Sequence, residues 1–287
     1  NGFITLPAKQ LVKGNNTVTV SFTRKHSTNG EGLHRFKDPV DGKVYLYSHF
    51  EPAAAQQMFA LFDQPDLKAT FELTVSAPKD WTVFSATKET SATPQGDFTL
   101  WHFPKSLTLS PYNFSMHAGP YKMWQDNSGK YPLRLFARQS VAEQITPKHW
   151  FTYTQQGFKF FDEYFGLPYP FEKYDQVLVP DFLYGAMENT SATIFGDFFF
   201  VDERAYLDRN YVGVNCHELT HQWFGDLITA RGPGDAWLQE SFATYYAKIF
   251  DATIIDDNEV KFNFRRDLND PYKIRTNPSK SSMHFCL

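Results

Sequence analysis

His217, Glu218, His221 and Glu240 are the residues of this chain whose types and spacing could do chemistry. His217-Glu218-Leu219-Thr220-His221 is an H-E-x-x-H pentad, and Glu240 follows after eighteen intervening residues. On a helix, positions i and i+4 share one face, so two imidazoles can reach a single metal ion. A carboxylate from a following helix can supply a third ligand. Three N/O ligands leave one position open for water, which is the layout of a catalytic zinc site with one Zn²⁺ per chain. Glu218, beside the first ligand, is placed to act as general base on that water.

A lone pentad could also lie on a solvated helix face. The neighbours argue otherwise. Val212 and Val214 precede it and Trp223 and Phe224 follow it, so the helix reads as buried. Glu240 likewise sits inside an apolar helical pattern, Ala236-Trp237-Leu238-Gln239-Glu240-Ser241-Phe242-Ala243. Burying such a cluster without a metal would carry a desolvation cost that nothing offsets. Cys216, adjacent to His217, should point about 100° away from the metal and serve as a small buried residue.

A second motif lies upstream. Gly185-Ala186-Met187-Glu188-Asn189 reads GAMEN and follows the strand-like run from Tyr174 to Pro180. GAMEN followed by the pentad and a glutamate resembles the M1 family of zinc aminopeptidases, the aminopeptidase N family. Phe50-Glu51-Pro52, the run from Phe62 to Ala69, the run from Tyr164 to Pro170 and His221-Gln222-Trp223-Phe224-Gly225-Asp226 resemble that family too.

The resemblance implies that His217, His221 and Glu240 bind Zn²⁺ and that Glu218 activates water. It also implies that Glu188 and Glu51 receive the free α-ammonium group of a peptide, and that Gly185, Ala186, Met187 and Asn189 line the substrate. The implied activity is release of N-terminal amino acids from peptides. Where the family commonly has Gln two residues before the amine-binding glutamate, this chain has His49. That histidine either reshapes the first side-chain pocket and its pH response or is packed with no such role. The resemblance further implies an oxyanion-stabilising tyrosine beyond Leu287, and no such part for Tyr245, Tyr246 or Tyr272. It implies more strands before Asn1 and more helices after Leu287, so the chain is expected to be a fragment at both ends. Lacking that tyrosine, the fragment is expected to be catalytically weak on its own. Competing readings are a zinc endopeptidase, a non-catalytic scaffold of the same fold, and the epoxide-hydrolase branch. Glu51 and GAMEN, the intact ligand set, and GAMEN in place of GGMEN weigh against these in turn.

The rest of the chain must position these groups. At 287 residues it has room for two ordinary domains. A net charge of −4 gives no support for nucleic-acid binding. No apolar run approaches the length of a membrane span. Two cysteines, Cys216 and Cys286, exclude a disulfide scaffold and leave the compartment open.

Alternating runs at Thr17–Phe22, Phe71–Val75, Trp81–Phe84 and Phe98–Trp101, with turn signals between them, predict β structure. An antiparallel sandwich or saddle-shaped sheet follows for residues 1–120. After Gly119-Pro120 the pattern predicts a strand near Leu133–Ala137. A helix from Thr146-Pro147 to Gly166 comes next, then a strand, the zinc helix from about Asn210 to Phe224, and the Glu240 helix. The expected class is therefore α+β, with a thermolysin-like catalytic domain over residues 121–287 implied by the resemblance. The tail from Asp256 is polar and broken by Asn269-Asp270-Pro271 and Asn277-Pro278.

Overall fold

The computed structural model describes residues 3–182, 184–199 and 210–254. Its first half is antiparallel. β1 (Gly32–Lys37), β2 (Val44–His49), β3 (Leu73–Pro78), β4 (Thr82–Ser85), β5 (Ser91–Gln95), β6 (Phe98–Phe103) and β7 (Met116–Gly119) form two sheets. One runs β1-β2-β7-β4 and the other β3-β6-β5. Leu46, Ala77, Val83, Phe103, Met116 and Ala118 form one buried cluster between them, so the two sheets share a core as a sandwich does.

The second half contains β8 (Lys122–Asp126), β9 (Leu133–Ala137), α1 (Pro147–Phe165), β10 (Tyr174–Val179), β11 (Ala186–Met187), β12 (Ala192–Gly196), α2 (Asn210–His221) and α3 (Ala236–Ile254). The sheet order is β11-β12-β10-β9-β8. β10 pairs in parallel with β9 and β12, while the outer pairs are antiparallel. Residues of β9, β10 and β12 are buried throughout because both faces of this sheet are covered.

Side-chain alternation divides the two faces. Leu133, Leu135, Tyr174, Leu178 and Phe195 join Trp150, Phe158, Phe161, Leu219 and Phe250 of the helices. Phe136, Val177, Val179 and Ile194 point the other way, against Tyr45, Tyr47, Phe84 and Tyr121 of the first half. The five-stranded sheet is thus the middle layer between the helices and the β1-β2-β7-β4 sheet.

The helices follow their sequence signals. α1 has Pro147 in its first turn and Gly166 at its C-cap with φ of 63°, a left-handed position that costs glycine little. α2 stops at His221, three residues before the expected Phe224. There the backbone tightens, with Gln222 N–H on Leu219 O and Trp223 N–H on Thr220 O, and then turns at Gly225. One further reading needs correction. Thr17–Phe22 is not a strand. It has no ladder partner among the described residues, and Val18, Val20 and Phe22 are exposed. Alternation marks a chain able to pair but supplies no partner. β8 was not anticipated, because its Lys122-Met123-Trp124 edge carries little apolar signal. The polar tail from Asp256, Tyr272 and Cys286 lie outside the described residues. No described helix is long and apolar enough to cross a membrane.

Candidate active site

α2 and α3 pack together and bring the three expected ligands to one point. His217, His221 and Glu240 each offer a ligand atom, all within 4.8 Å of one another. Glu240 carboxylate oxygens stand 3.4 Å from His217 Nε2 and 3.5 Å from His221 Nε2. Ligand atoms about 2.1 Å from a tetrahedral ion lie about 3.4 Å apart, so both carboxylate distances fit a metal. The two imidazole Nε2 atoms are 2.9 Å apart, within hydrogen-bonding distance of each other. His221 Nδ1 lies 2.9 Å from the Phe224 carbonyl, which holds a proton on Nδ1 and makes Nε2 the nitrogen that would ligate a metal. Thr244 Oγ1 stands 3.4 Å from His217 Nδ1.

The electrostatics are those of several charges confined together. Burial opposes the charge of Glu240, yet His221, followed by the hydrogen bonds from His217 and His221, holds its carboxyl well below the usual range. Burial pulls the His221 imidazolium down, but Glu188 and Glu240 raise it well above its ordinary value. His217 is lowered by burial. Glu218 is buried with Oε2 unpartnered, and burial pushes its carboxyl well up.

The GAMEN segment occupies the sheet edge beside this cluster. Gly185 takes φ of 82°, and its carbonyl accepts the Gly196 N–H at 2.6 Å. Ala186 and Met187 form β11, paired on one side with Phe195 and Ile194 of β12. β11 ends its sheet, so its other edge carries no strand among the described residues. Glu188 follows; its Oε1, 4.0 Å from His221 Nδ1, has no hydrogen-bond partner, while Tyr112 bonds to the carboxylate. Burial raises its carboxyl against the pull of His221. Asn189 is fully buried, with both side-chain polar atoms unpartnered.

Glu51 enters from the first half of the chain, just after β2. Burial, then the nearby Glu188 and Glu240, push its carboxyl up to about 8. Glu51, Glu188, Glu218 and Glu240 therefore share one electrostatic environment, although they come from four separate segments. Gly225 makes room for it. A Cβ there would lie 3.3 Å from His221 Nδ1 and 3.7 Å from Glu188 Oε1, and its φ of 146° disfavours a side chain.

His49 is a packed aromatic neighbour of this region. Its ring stacks on Tyr184 at 4.7 Å and meets Phe182 edge-on at 5.3 Å. Burial lowers it to about 4, so it is neutral near pH 7. Cys216 packs on the α1 side of α2, near Gly157.

Several neighbours were not singled out from sequence. Tyr112 is buried and accepts Gln239 Nε2 at 2.7 Å, next to Glu240. Asn113 Nδ2 donates to Asp226 Oδ1 at 2.5 Å. Lys68 Nζ reaches the Leu227 carbonyl at 3.3 Å, tying the first half of the chain to the turn after α2. Gln222 bonds to the backbone around Glu188. The only available signal was a polar residue set among apolar ones beside a motif, as with Gln222 before Trp223-Phe224.

Sequence comparison agrees with this architecture. The Peptidase M1 N-terminal domain pattern matches residues 1–112, and the Peptidase family M1 domain pattern matches residues 150–283. The chain therefore belongs to peptidase family M1. It is 44% identical to the aminopeptidase N of Streptomyces lividans over 250 residues, covering 84% of this chain and 28% of that protein. It is 33% identical to the aminopeptidase N of Oryctolagus cuniculus, covering 71% of this chain and 22% of that protein. The glutamyl aminopeptidase of Homo sapiens is 33% identical over 75% of this chain and 23% of its own length. The chain thus spans less than a third of these relatives.

Proposed function

We propose that this chain carries the metal site and amine-recognition site of a zinc aminopeptidase, which releases N-terminal amino acids from peptides. The observation that carries the reading is Glu188 Oε1, 4.0 Å from His221 Nδ1 of the His217, His221 and Glu240 cluster, with Glu51 within the electrostatic reach of Glu188 and Glu240. An endopeptidase has no use for two carboxylates crowded at one end of the site. An aminopeptidase does, because a peptide's ammonium group donates three hydrogen bonds and relieves the repulsion between them.

His217 Nε2, His221 Nε2 and a Glu240 oxygen would hold the ion. Bound there, zinc supplies a Lewis acid that polarises the scissile carbonyl and makes water nucleophilic near neutral pH. Glu218 takes the proton from the attacking water and returns it to the departing amine. Glu51 and Glu188 grip the ammonium and fix its distance from the reacting carbonyl. The free edge of β11 pairs with the substrate backbone as an added strand, with Gly185, Ala186 and Met187 presenting main-chain groups and Asn189 closing the turn beyond them. In this reading residues 1–120 form the amino-terminal β domain that supplies Glu51, and residues 121–287 the catalytic domain.

The test is hydrolysis of matched peptides with free and N-acetylated amino termini by the zinc-loaded protein. Free termini should be strongly preferred. Glu51→Ala and Glu188→Ala should each cost about 2–5 kcal/mol in kcat/KM on free peptides, as for a buried charge pair that loses one member, and much less on acetylated ones. Equal cleavage of both substrate types by the unaltered protein would establish an endopeptidase instead.

A further inference from the structure

Glu188-Asn189-Thr190-Ser191 joins β11 to β12 and is almost wholly buried, although all four residues are polar. Such a loop must find partners for its backbone within the protein. Ser191 also adopts φ of 61°, a left-handed conformation for a residue with a side chain, so its surroundings must hold it there. Thr190 N–H bonds to the Asn113 carbonyl at 2.9 Å, and Ala192 N–H to the Asn189 carbonyl at 3.0 Å. The Ser191 carbonyl accepts Lys173 Nζ at 2.7 Å.

Asp175 N–H also donates to the Ser191 carbonyl at 3.0 Å, and Ser191 Oγ to the Lys173 carbonyl at 2.6 Å. Two further backbone groups, one at each end of the loop, are met by a single side chain. Gln222 Oε1 accepts the Ser191 N–H at 2.9 Å, and Gln222 Nε2 faces the Glu188 carbonyl at 3.4 Å. Acceptor meets donor and donor meets acceptor, so one amide spans the loop from end to end. Gln222 is fully buried and directly follows His221. The loop that carries the Glu188 carboxylate is thereby fastened to the segment that carries a metal ligand.

We propose that Gln222 is a positioning residue, which sets the distance between the Glu188 carboxylate and the metal site and so selects substrates with a free amino terminus. The inference rests on the reading of Glu188 as ammonium anchor. Gln222 touches neither the metal position nor the substrate. It acts by fixing the backbone from which Glu188 projects. Without it, Ser191 N–H and the Glu188 carbonyl lose their shared partner and the strained loop can relax away from α2.

The experiment uses leucine hydroxamate and its N-acetyl derivative, whose hydroxamate group binds the metal in both cases. Their affinities for the zinc-loaded protein are measured by calorimetry, with zinc content and thermal midpoint as controls. The unaltered protein should bind the free form the more tightly. Gln222→Met keeps the volume and removes both hydrogen bonds. It should reduce that preference by about tenfold or more, with affinity for the acetylated form and zinc content unchanged. Gln222→Met added to Glu188→Ala should reduce the preference no further, because both act through one carboxylate. If Gln222→Met does not fold, Gln222→Asn, too short to span both contacts, should show the same loss. An unchanged preference in the variant that folds overturns the proposal, as does equal weakening of both hydroxamates. If Glu188→Ala also leaves the preference intact, the anchor reading falls and this inference falls with it. If Glu188→Ala abolishes the preference while Gln222→Met does not, only the role of Gln222 is lost.

Discussion

A metal ligand and a general base differ in what their removal takes away, although both lie in one pentad. His217 and His221 each present Nε2 toward Glu240. Replacing either with alanine leaves two ligands, too few for a stable zinc site. His217→Ala and His221→Ala should lose most of the metal, and retention of one zinc per chain in both variants, measured by atomic absorption, would refute the ligand set. Glu218 shares their helix but not their target. Glu218→Gln should keep zinc and lose about 10²–10⁴-fold in kcat, the usual contribution of general-base catalysis. Near-normal turnover would mean that another group takes the proton. At this scale the ligands and the base were legible because metal chemistry fixes their spacing on a helix. Glu51 was legible only through the family resemblance, since a lone glutamate after a strand carries no local signal. Tyr112 and Gln222 were not legible, because their roles arise from contacts between distant segments.

Elements aim these side chains, and α2 is aimed by α1. Gly157 of α1 faces Leu219 of α2, the residue midway between the two histidines. A Cβ at Gly157 would stand 2.7 Å from Leu219 Cδ2, and Leu219 is fully buried. Gly157→Ala should therefore cost about 1–3 kcal/mol by overpacking, despite alanine's better helix propensity. The same displacement should shift His217 and His221 and weaken zinc binding. Thermal unfolding and a competitive chelator titration would measure the two effects, and a variant that gains stability would show that α1 can yield at this crossing. The boundaries of α1 were readable from Pro147 and Gly166, whose backbone constraints are local. β10 was readable as an apolar run. The Thr17–Phe22 assignment failed because a strand depends on a partner that its own sequence does not encode. The early end of α2 likewise comes from the turn at Gly225, which leaves room for His221 and Glu188.

Across the whole molecule, the two halves are joined by buried charge as well as by apolar surface. Lys173 Nζ donates to Asp175 at 2.7 Å in its own half and to the Ser85 carbonyl at 2.6 Å in the other. Arg134 spans Asp175 and Glu89 in the same way. His117 of β7 lies beside this network, fully buried, with its ring stacked on Phe84 at 4.8 Å. Burial lowers it to about 3; Lys173 pushes in the same direction and Asp175 against it. The unfolded chain binds this proton near pH 6.5, whereas the folded protein refuses it until about pH 3. Between those values the unfolded state holds more protons, so stability is lost as pH falls. The limiting slope is about 1.4 kcal/mol per pH unit for one such histidine. His117→Leu removes the proton acceptor and keeps an apolar side chain against Phe84. Whatever it costs at pH 7.5, it should narrow the gap between urea-unfolding free energies at pH 7.5 and pH 5.0 by about 2 kcal/mol. Chelated samples of both proteins exclude metal release as the cause. An unchanged gap would show that His117 accepts a proton within the fold, and that the junction between the halves admits water where the structure has packed aromatic rings.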